Sequence, residues 1–401
     1  MKVIIIGNGI GGVMVASKLR TQEPDPAKLE IDIYTREAFE YYSRIRLPEI
    51  CATQMSAEDL EVYKPEWYKK KNIQVFKNQE VVKIDRATKQ LLLKGGKQEK
   101  YDKLVLAMGS DSFKLPIKNG ELDGIFTIRE YGDADTIRRY ITAGTKHAIV
   151  IGGGLLGLEA ARNLRKAKIE TLTIIEIFPR LLPRQLDEEG ARILKKIIER
   201  LGCTIILGAQ VAEFTGDRRV KGLRLKDGRE LPAETVLISA GIKPRIALAK
   251  EAGLTVNKGI VVDDHLRTND KDIFVAGDLV EFQGIVWGII PAALDHAPII
   301  ANNILGKDHV TYKQTIPQNT LKVVGINLTS MGKVTFDDGH ENEYMIIKKT
   351  DDTKERYEKY VVKDGKLVGS ILLGSKDNLS WLTQKIGKDI TEKEIKDRLM
   401  W

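Results

Sequence analysis

The sequence predicts an α/β chain with two Rossmann-like dinucleotide-binding domains, each on a parallel sheet, and a small α+β domain at the C-terminal end. Three observations predict it. The apolar run Val3-Ile4-Ile5-Ile6 leads into Gly7-Asn8-Gly9-Ile10-Gly11-Gly12. Ala148-Ile149-Val150-Ile151 leads into Gly152-Gly153-Gly154-Leu155-Leu156-Gly157. After Lys307 the pattern turns to alternating, strand-like sequence. Both glycine runs match G-x-G-x-x-G between a strand and a helix. The first glycine (Gly7, Gly152) permits the sharp turn, the second (Gly9, Gly154) lets a pyrophosphate approach the backbone, and the third (Gly12, Gly157) lets helix pack on strand. The following helix offers unpaired N–H groups and partial positive charge to phosphates. Two such turns in one chain imply two dinucleotides and electron transfer between them.

In order, residues 1–35 read β-α-β, with a helix over 11–20 and a strand over 31–34 beyond Pro24 and Pro26. Residues 36–72 mix loop and helix, and strand-like pieces follow at 81–85, 90–93 and 104–107. Turn residues over 110–116 suggest a crossing between domains. A second unit begins near Gly124, with strand 149–151, helix 156–167 and strand 171–176. An amphipathic helix over 187–201 turns Ala191, Leu194, Ile198 and Leu201 to one side, and Gly202 stops it. Strand signals return at 204–207, 223–225 and 236–239. A buried strand over 272–276 ends at Gly277-Asp278, and 291–305 reads as a helix. Strands follow at 321–326, 344–348, 358–363 and 367–373, then a helical tail over 376–400. This third unit is too short to bury a large core and is expected to pack on the first.

Composition narrows the class. A chain of 401 residues holds two or three domains, and 42% apolar with 30% charged residues is ordinary for a soluble protein. No stretch reaches membrane-span length, and the short N-terminal apolar run is no signal peptide, so a cytoplasmic location is expected. Cys51 and Cys203 form no CxxC or C-x4-C pair, which argues against a redox disulfide and an iron–sulfur site. The five histidines are dispersed, and no metal site is expected. The net charge of +8 comes with no basic-aromatic recognition motif, so neither nucleic acid nor membrane is an expected partner. An acidic protein partner and a generically basic surface remain open readings. Oligomeric state is not legible.

An acidic residue about 20 positions beyond a glycine turn bonds the adenosine ribose. At the second site that residue is Glu176, whose carboxylate accepts ribose hydroxyls and repels a 2′-phosphate, so NADH is preferred over NADPH. At the first site the position holds Thr35, with Glu37 two residues on, and either is a candidate. Gly277-Asp278 closes a buried strand and gives the first site a carboxylate for a ribityl hydroxyl.

With these residues placed, the chain resembles the two-dinucleotide flavoprotein disulfide-reductase type of oxidoreductase. Within it, NADH:rubredoxin reductases and the flavin modules of assimilatory nitrite reductases are most similar, over nearly the whole length. Tyr42-Ser43-Arg44-Ile45-Arg46-Leu47-Pro48 resembles Y-x-R-P-x-L, with Ile45 in place of Pro. Ala107-Met108-Gly109 resembles A-T-G, and Leu182-Pro183-Arg184-Gln185-Leu186-Asp187 resembles M-P-R-Q-L-D. Ser239-Ala240-Gly241-Ile242-Lys243-Pro244-Arg245 resembles A-x-G-x-x-P-N. Trp287-Gly288-Ile289-Ile290-Pro291-Ala292-Ala293 resembles the W-x-x-A segment that covers the flavin.

The resemblance implies FAD at the first site and NADH at the second, with hydride moving from nicotinamide C4 to flavin N5. It implies an FAD-binding domain over 1–113 and 244–310, an NAD-binding domain over 114–243 and a C-terminal domain over 311–401. Arg44 is placed at the FAD pyrophosphate or ring edge, Glu159 near nicotinamide and flavin, and Glu49 where ferredoxin reductases carry Lys and rubredoxin reductases often Glu. Ala107, Gly109, Gly241 and Trp287 belong to the cofactor contacts. The catalytic cysteines of disulfide reductases are absent, and Cys51 reads as a buried small hydrophobe or a thiol near the flavin. The implied function is an FAD enzyme that oxidises NADH and passes electrons to a small acidic redox protein, rubredoxin first. An NADH oxidase, a nitrite-reductase-like flavin module and a redox-responsive flavin-binding interaction protein are the alternatives. Lys348, Lys349, Lys359, Lys363 and Lys366 are candidates for a basic docking face.

Overall fold

The computed structural model describes residues 1–167, 169–307, 310–323, 325–336 and 339–399. It divides into two compact units. Unit 1 holds Met1–Arg44, Met55–Ser112 and Gly241–Thr315, and unit 2 holds Ile45–Gln54, Phe113–Ala240 and Ile316–Trp401.

Unit 1 is built on a five-stranded sheet in the order Ile273–Val275, Lys103–Leu106, Lys2–Ile6, Glu30–Tyr34, Gln74–Phe76. Every pairing is parallel, with Val3 between Ile31 and Lys103. Elements cover both faces of such a sheet, which is why its strands read as unbroken apolar runs. Val3, Ile4 and Ile5 are fully buried. The chain leaves Lys2–Ile6 toward Glu30–Tyr34 on one side and later returns at Lys103–Leu106 on the other. The carboxyl end of the central strand is therefore a topological switch point, where open α/β sheets bind ligands, and Gly7 begins there. Helix Ile10–Gln22 packs along helix Ile290–Ile304. Arg20, inward-facing near its end, donates to the carbonyls of Glu23, Leu29, Lys71 and Asn72 and so ties helix to loop. A three-stranded antiparallel sheet (Val81–Asp85, Gln90–Leu93, Gln98–Lys100) completes the unit.

Unit 2 repeats the plan. Its five-stranded parallel sheet runs Cys203–Leu207, Thr171–Glu176, His147–Ile151, Thr235–Ile238, Ile125–Thr127. Strand His147–Ile151 again lies at the switch point, and Gly152 follows it. Helices Tyr131–Thr142, Leu155–Lys166 and Glu188–Arg200 accompany the sheet. The short helix Leu47–Ile50 packs on the first two of these. Val211–Gly216, Val220–Leu225 and Glu230–Pro232 form an antiparallel three-stranded sheet.

The C-terminal part of unit 2 is an antiparallel sheet ordered Gln318–Val323, Ile326–Gly332, Lys366–Leu373, Arg356–Lys363, Met345–Asp351, with helices Leu379–Lys385 and Glu392–Arg398. It buries its own core around Tyr360, Leu367, Leu372, Leu382 and Ile395. The sequence predicted that this part packs on the first unit. It forms one compact unit with the second glycine turn. Its hairpin meets helix Glu188–Arg200 through charge. Arg192 pairs with Asp352 at 2.8 Å, Arg200 with Glu355 at 2.5 Å, and Thr350 Oγ1 donates to Glu189. Asp187, the N-cap of that helix, accepts from Gly190 N–H at 3.1 Å, Tyr357 Oη at 2.6 Å and Lys359 Nζ at 2.9 Å. Burial pushes the Asp187 carboxyl up, but the bonds from Tyr357 and Lys359 outweigh it and hold it below the usual carboxylate range.

That network removes Lys359 from the expected basic face, because it is 1% exposed. Lys349 donates to the Leu399 carbonyl and Lys363 to Glu343. Two further expectations differ. The tail forms two short helices rather than one, and Met400 lies outside the described residues. Leu201, assigned to the apolar side of its helix, is the C-cap and is 43% exposed. The strand expected at 321–326 spans Val324, which also lies outside the described residues.

Candidate functional site

The two glycine turns share one geometry. Gly7 and Gly152 take left-handed backbone angles, with φ of 113° and 114°. A Cβ on Gly7 would lie 2.3 Å from the Ala107 carbonyl oxygen, and one on Gly152 would lie 2.2 Å from that of Ser239. A Cβ on Gly12 would meet Gly7 O at 2.0 Å, and one on Gly157 would meet Gly152 O at 2.1 Å. The middle glycines behave oppositely. A Cβ on Gly9 or Gly154 meets nothing within 4 Å. Each is the extended N-cap of its helix, with no side-chain cap bond. First and third glycines are thus fixed by packing, whereas the second faces open space beside an uncapped helix N-terminus. That is the cradle a dinucleotide pyrophosphate requires.

In unit 1, Gly9, Thr35, Glu37, Tyr42 and Arg44 line one small cleft. Thr35 is buried and its Oγ1 accepts the Glu37 N–H at 3.2 Å. Its own N–H donates to Phe76 O, and its carbonyl accepts from Gln79. Thr35 therefore braces the turn, and the Glu37 carboxylate accepts from Tyr42 Oη and Arg44 Nη2. Asn8 Nδ2 donates to Glu40 at 3.4 Å, and Tyr68 Oη donates to Asn8 Oδ1 at 3.2 Å, which anchors the turn from beneath.

The segment after Lys103–Leu106 lies against the first turn, with the Ala107 carbonyl beside Gly7. Ala107 N–H donates to Ile6 O at 2.8 Å, and the carbonyl of Gly109 accepts from Arg245 N–H at 3.0 Å. Strand Ser110–Ser112 pairs with Ile242–Pro244, just beyond Gly241, whose φ is 105°. Asp278 accepts from Ser110 Oγ at 2.6 Å. Trp287 donates its indole N–H to Gln314 Oε1 at 3.0 Å. Gly277 carries a φ of 71°, and a Cβ on Gly11 would sit 3.4 Å from its nitrogen, so the Gly277-Asp278 turn lies against the start of helix Ile10–Gln22.

In unit 2, Glu176 is buried and accepts the N–H of Gly153 at 2.6 Å and of Phe178 at 3.0 Å. Its carboxylate is held beside the second turn. Arg180 donates to the carbonyls of Pro183 and Leu186, so its guanidinium serves the following loop. Glu159 lies on helix Leu155–Lys166, with Arg162 Nη1 at 3.8 Å. Glu49 pairs with Arg46 at 2.9 Å on the short helix Leu47–Ile50. Cys51 is buried and unpaired in a disulfide, and burial pushes its thiol up to about 12, which leaves it an inert small hydrophobe.

Sequence reading did not single out Asn8, a variable position of the first glycine motif, or Glu40, Tyr68 and Ser110, which sit beside candidate residues but carry no motif. It also missed His296, a polar residue on the inward side of an apolar helix. Among the described residues, Asp263, Asp264 and His265 bring ligand atoms within 4.8 Å of one another. Asp263 is already held by Arg267 and two backbone N–H groups. No helix among the described residues is long and apolar enough to cross a membrane.

Comparison with known proteins places this geometry. The family described as pyridine nucleotide-disulphide oxidoreductase matches residues 1–298, and the rubredoxin NAD+ reductase C-terminal domain matches residues 317–390. A nitrite reductase [NAD(P)H] of Bacillus subtilis is 33% identical over 98% of this chain and 48% of its own length. The chain thus spans about half the length of the nitrite reductase relatives it matches. An NADH-rubredoxin oxidoreductase of Clostridium acetobutylicum is 31% identical over 94% of this chain and 93% of its own. The putidaredoxin reductase in a covalent complex with putidaredoxin superposes with a TM-score of 0.82 at 27% identity, covering 96% of this chain and 92% of that one.

Proposed function

The chain belongs to the pyridine nucleotide-disulphide oxidoreductase family, whose cofactors are FAD and NADH, and from that premise we propose that it oxidises NADH and hands the electrons singly to a small redox protein of the rubredoxin class. The observation that carries the reading is the duplicated cradle: two parallel sheets, each with a packed first and third glycine and an open second one. When bound, FAD supplies a ring that accepts a hydride and releases electrons one at a time.

The protein's part is to hold and orient. We assign residues 1–113 and 244–310 to the FAD-binding domain, 114–243 to the NAD-binding domain and 311–401 to the C-terminal domain. The N–H groups after Gly9 and Gly154 bind the pyrophosphates. Glu37 takes the adenosine ribose of FAD, braced by Thr35, and Asp278 takes a ribityl hydroxyl. Glu176 takes the NADH ribose and disfavours a 2′-phosphate. The engagement of Arg180 with Pro183 and Leu186 supports that preference, because a phosphate would need a nearby cation. Arg44, Glu49, Glu159, Gly241 and Trp287 keep the flavin and nicotinamide contacts that the resemblance implies. Hydride transfer needs no side-chain acid or base, only ring atoms within about 3.5 Å and exclusion of water. The buried thiols and absent disulfide support a cytoplasmic setting.

The test is anaerobic. The purified protein should be yellow, NADH should bleach it, and added rubredoxin should be reduced catalytically. A protein that takes up no flavin on reconstitution refutes the proposal. A second reading, favoured by the half-length match to nitrite reductases, is the flavin module of a nitrite-reductase-like system. NADH-dependent reduction of nitrite when a nitrite reductase module is added, with no reduction of rubredoxin, would select it. NADH consumption that depends only on oxygen would select an oxidase.

A further inference from the structure

His296 is a buried titratable group that the proposed chemistry leaves unused. It lies on helix Ile290–Ile304 with 1% exposure. Its Nδ1 accepts the backbone N–H of Gly277 at 3.2 Å. Among the described residues its Nε2 has no hydrogen-bond partner, and the Tyr312 ring packs edge-on at 4.8 Å. An imidazole that accepts at Nδ1 carries its single proton at Nε2, so it is neutral. Burial pushes it down to about 3 against the opposing pull of Asp278, which agrees.

The accepted N–H is not an ordinary one. Gly277 stands in the left-handed region, its nitrogen lies against the start of helix Ile10–Gln22, and the next residue is Asp278. The acceptor it finds is a side chain, the His296 imidazole, rather than a backbone carbonyl. A buried N–H without a partner is costly and would let the turn relax. We propose that His296 is a positioning residue of the flavin site: its Nδ1 lone pair pins the Gly277 N–H, and the pinned turn aims the Asp278 carboxylate at the flavin's ribityl chain while Ser110 holds it from the side. This rests on unit 1 holding FAD.

Flavin-stripped protein titrated with FAD, followed by quenching of flavin fluorescence, tests the assignment, with the unfolding midpoint of each flavin-free variant measured beside it. His296→Phe keeps a ring and removes the acceptor, and should raise the FAD dissociation constant at least about tenfold. His296→Gln restores an acceptor and should bind within about threefold of the parent. If the Phe variant does not fold, His296→Leu takes its place. Equal affinity in the parent and the acceptor-less variant overturns the proposal, as does a Gln variant no better than Phe. A parent chain that binds no FAD is a different failure and falls on the proposed function itself.

Discussion

Replacing Gly154 with valine separates folding from nucleotide binding at a single position. Gly154 has φ of −81° and ψ of 178°, extended backbone that any residue adopts, and a Cβ there touches nothing within 4 Å. The flavin-free fold should therefore lose at most about 1 kcal/mol, the scale of exchanging a good N-cap for a poor one. The space that the valine fills is where the pyrophosphate must come. Losing charge-assisted bonds to two first-turn N–H groups removes at least ~3 kcal/mol, about 1.5 or more for each. The NADH dissociation constant should then rise about 100-fold or more. NADH titration monitored by its fluorescence gives the value, and flavin content is the internal control because the first turn is untouched. A folded, yellow variant that binds NADH within about threefold of the parent would refute the reasoning. The contrasting change, Gly157→Ala, puts a methyl 2.1 Å from Gly152 O and should damage the fold before it damages affinity.

Glu176→Ala should weaken NADH binding and narrow the gap to NADPH, read as the ratio of the two dissociation constants; an unchanged ratio removes Glu176 from the ribose. Asp278→Ala should lower flavin occupancy of the purified protein, measured by absorbance against protein concentration, and equal occupancy would exclude the carboxylate. Lys359→Met leaves Asp187 without its buried cation and should cost about 3 kcal/mol in denaturant unfolding; a loss below about 0.5 kcal/mol would show the pair to be idle. Asp187 titrates lower folded than unfolded, so its contribution is complete above the unfolded value of about 4 and fades as pH falls through the depressed folded value. Acid unfolding curves of the parent and Asp187→Asn should therefore differ above about pH 4 and converge at lower pH, and parallel curves would contradict the assignment.

Much of the scaffold was legible because parallel strands covered on both faces must be apolar throughout. Val3-Ile4-Ile5-Ile6 and Ala148-Ile149-Val150-Ile151 therefore announced themselves, and the glycines named the turns. Strand Thr171–Glu176 was read to the residue. Helix Tyr131–Thr142 was not seen, because its buried residues are only Ala134, Ile137 and Ile141 and its start, Tyr131-Gly132-Asp133, reads as a turn. The joint between the C-terminal part and helix Glu188–Arg200 was not legible for a related reason. It is made by Asp187, Tyr357, Lys359 and surface charges, and a polar joint leaves no periodicity to read. At the candidate site, the motif named Glu176 and Asp278 but could not show that Thr35 braces Glu37, since that depends on which way a short loop turns.

The charged seam on helix Glu188–Arg200 has a consequence for heredity. Its Arg192 and Arg200 answer Asp352 and Glu355, residues more than 150 positions further along the chain. A recombination event that supplied a foreign tail would bring mismatched signs to that helix, whereas the oily interior of the tail would tolerate the exchange. The helix and the hairpin should therefore travel through evolution as one inherited block, each constraining which neighbours the other accepts.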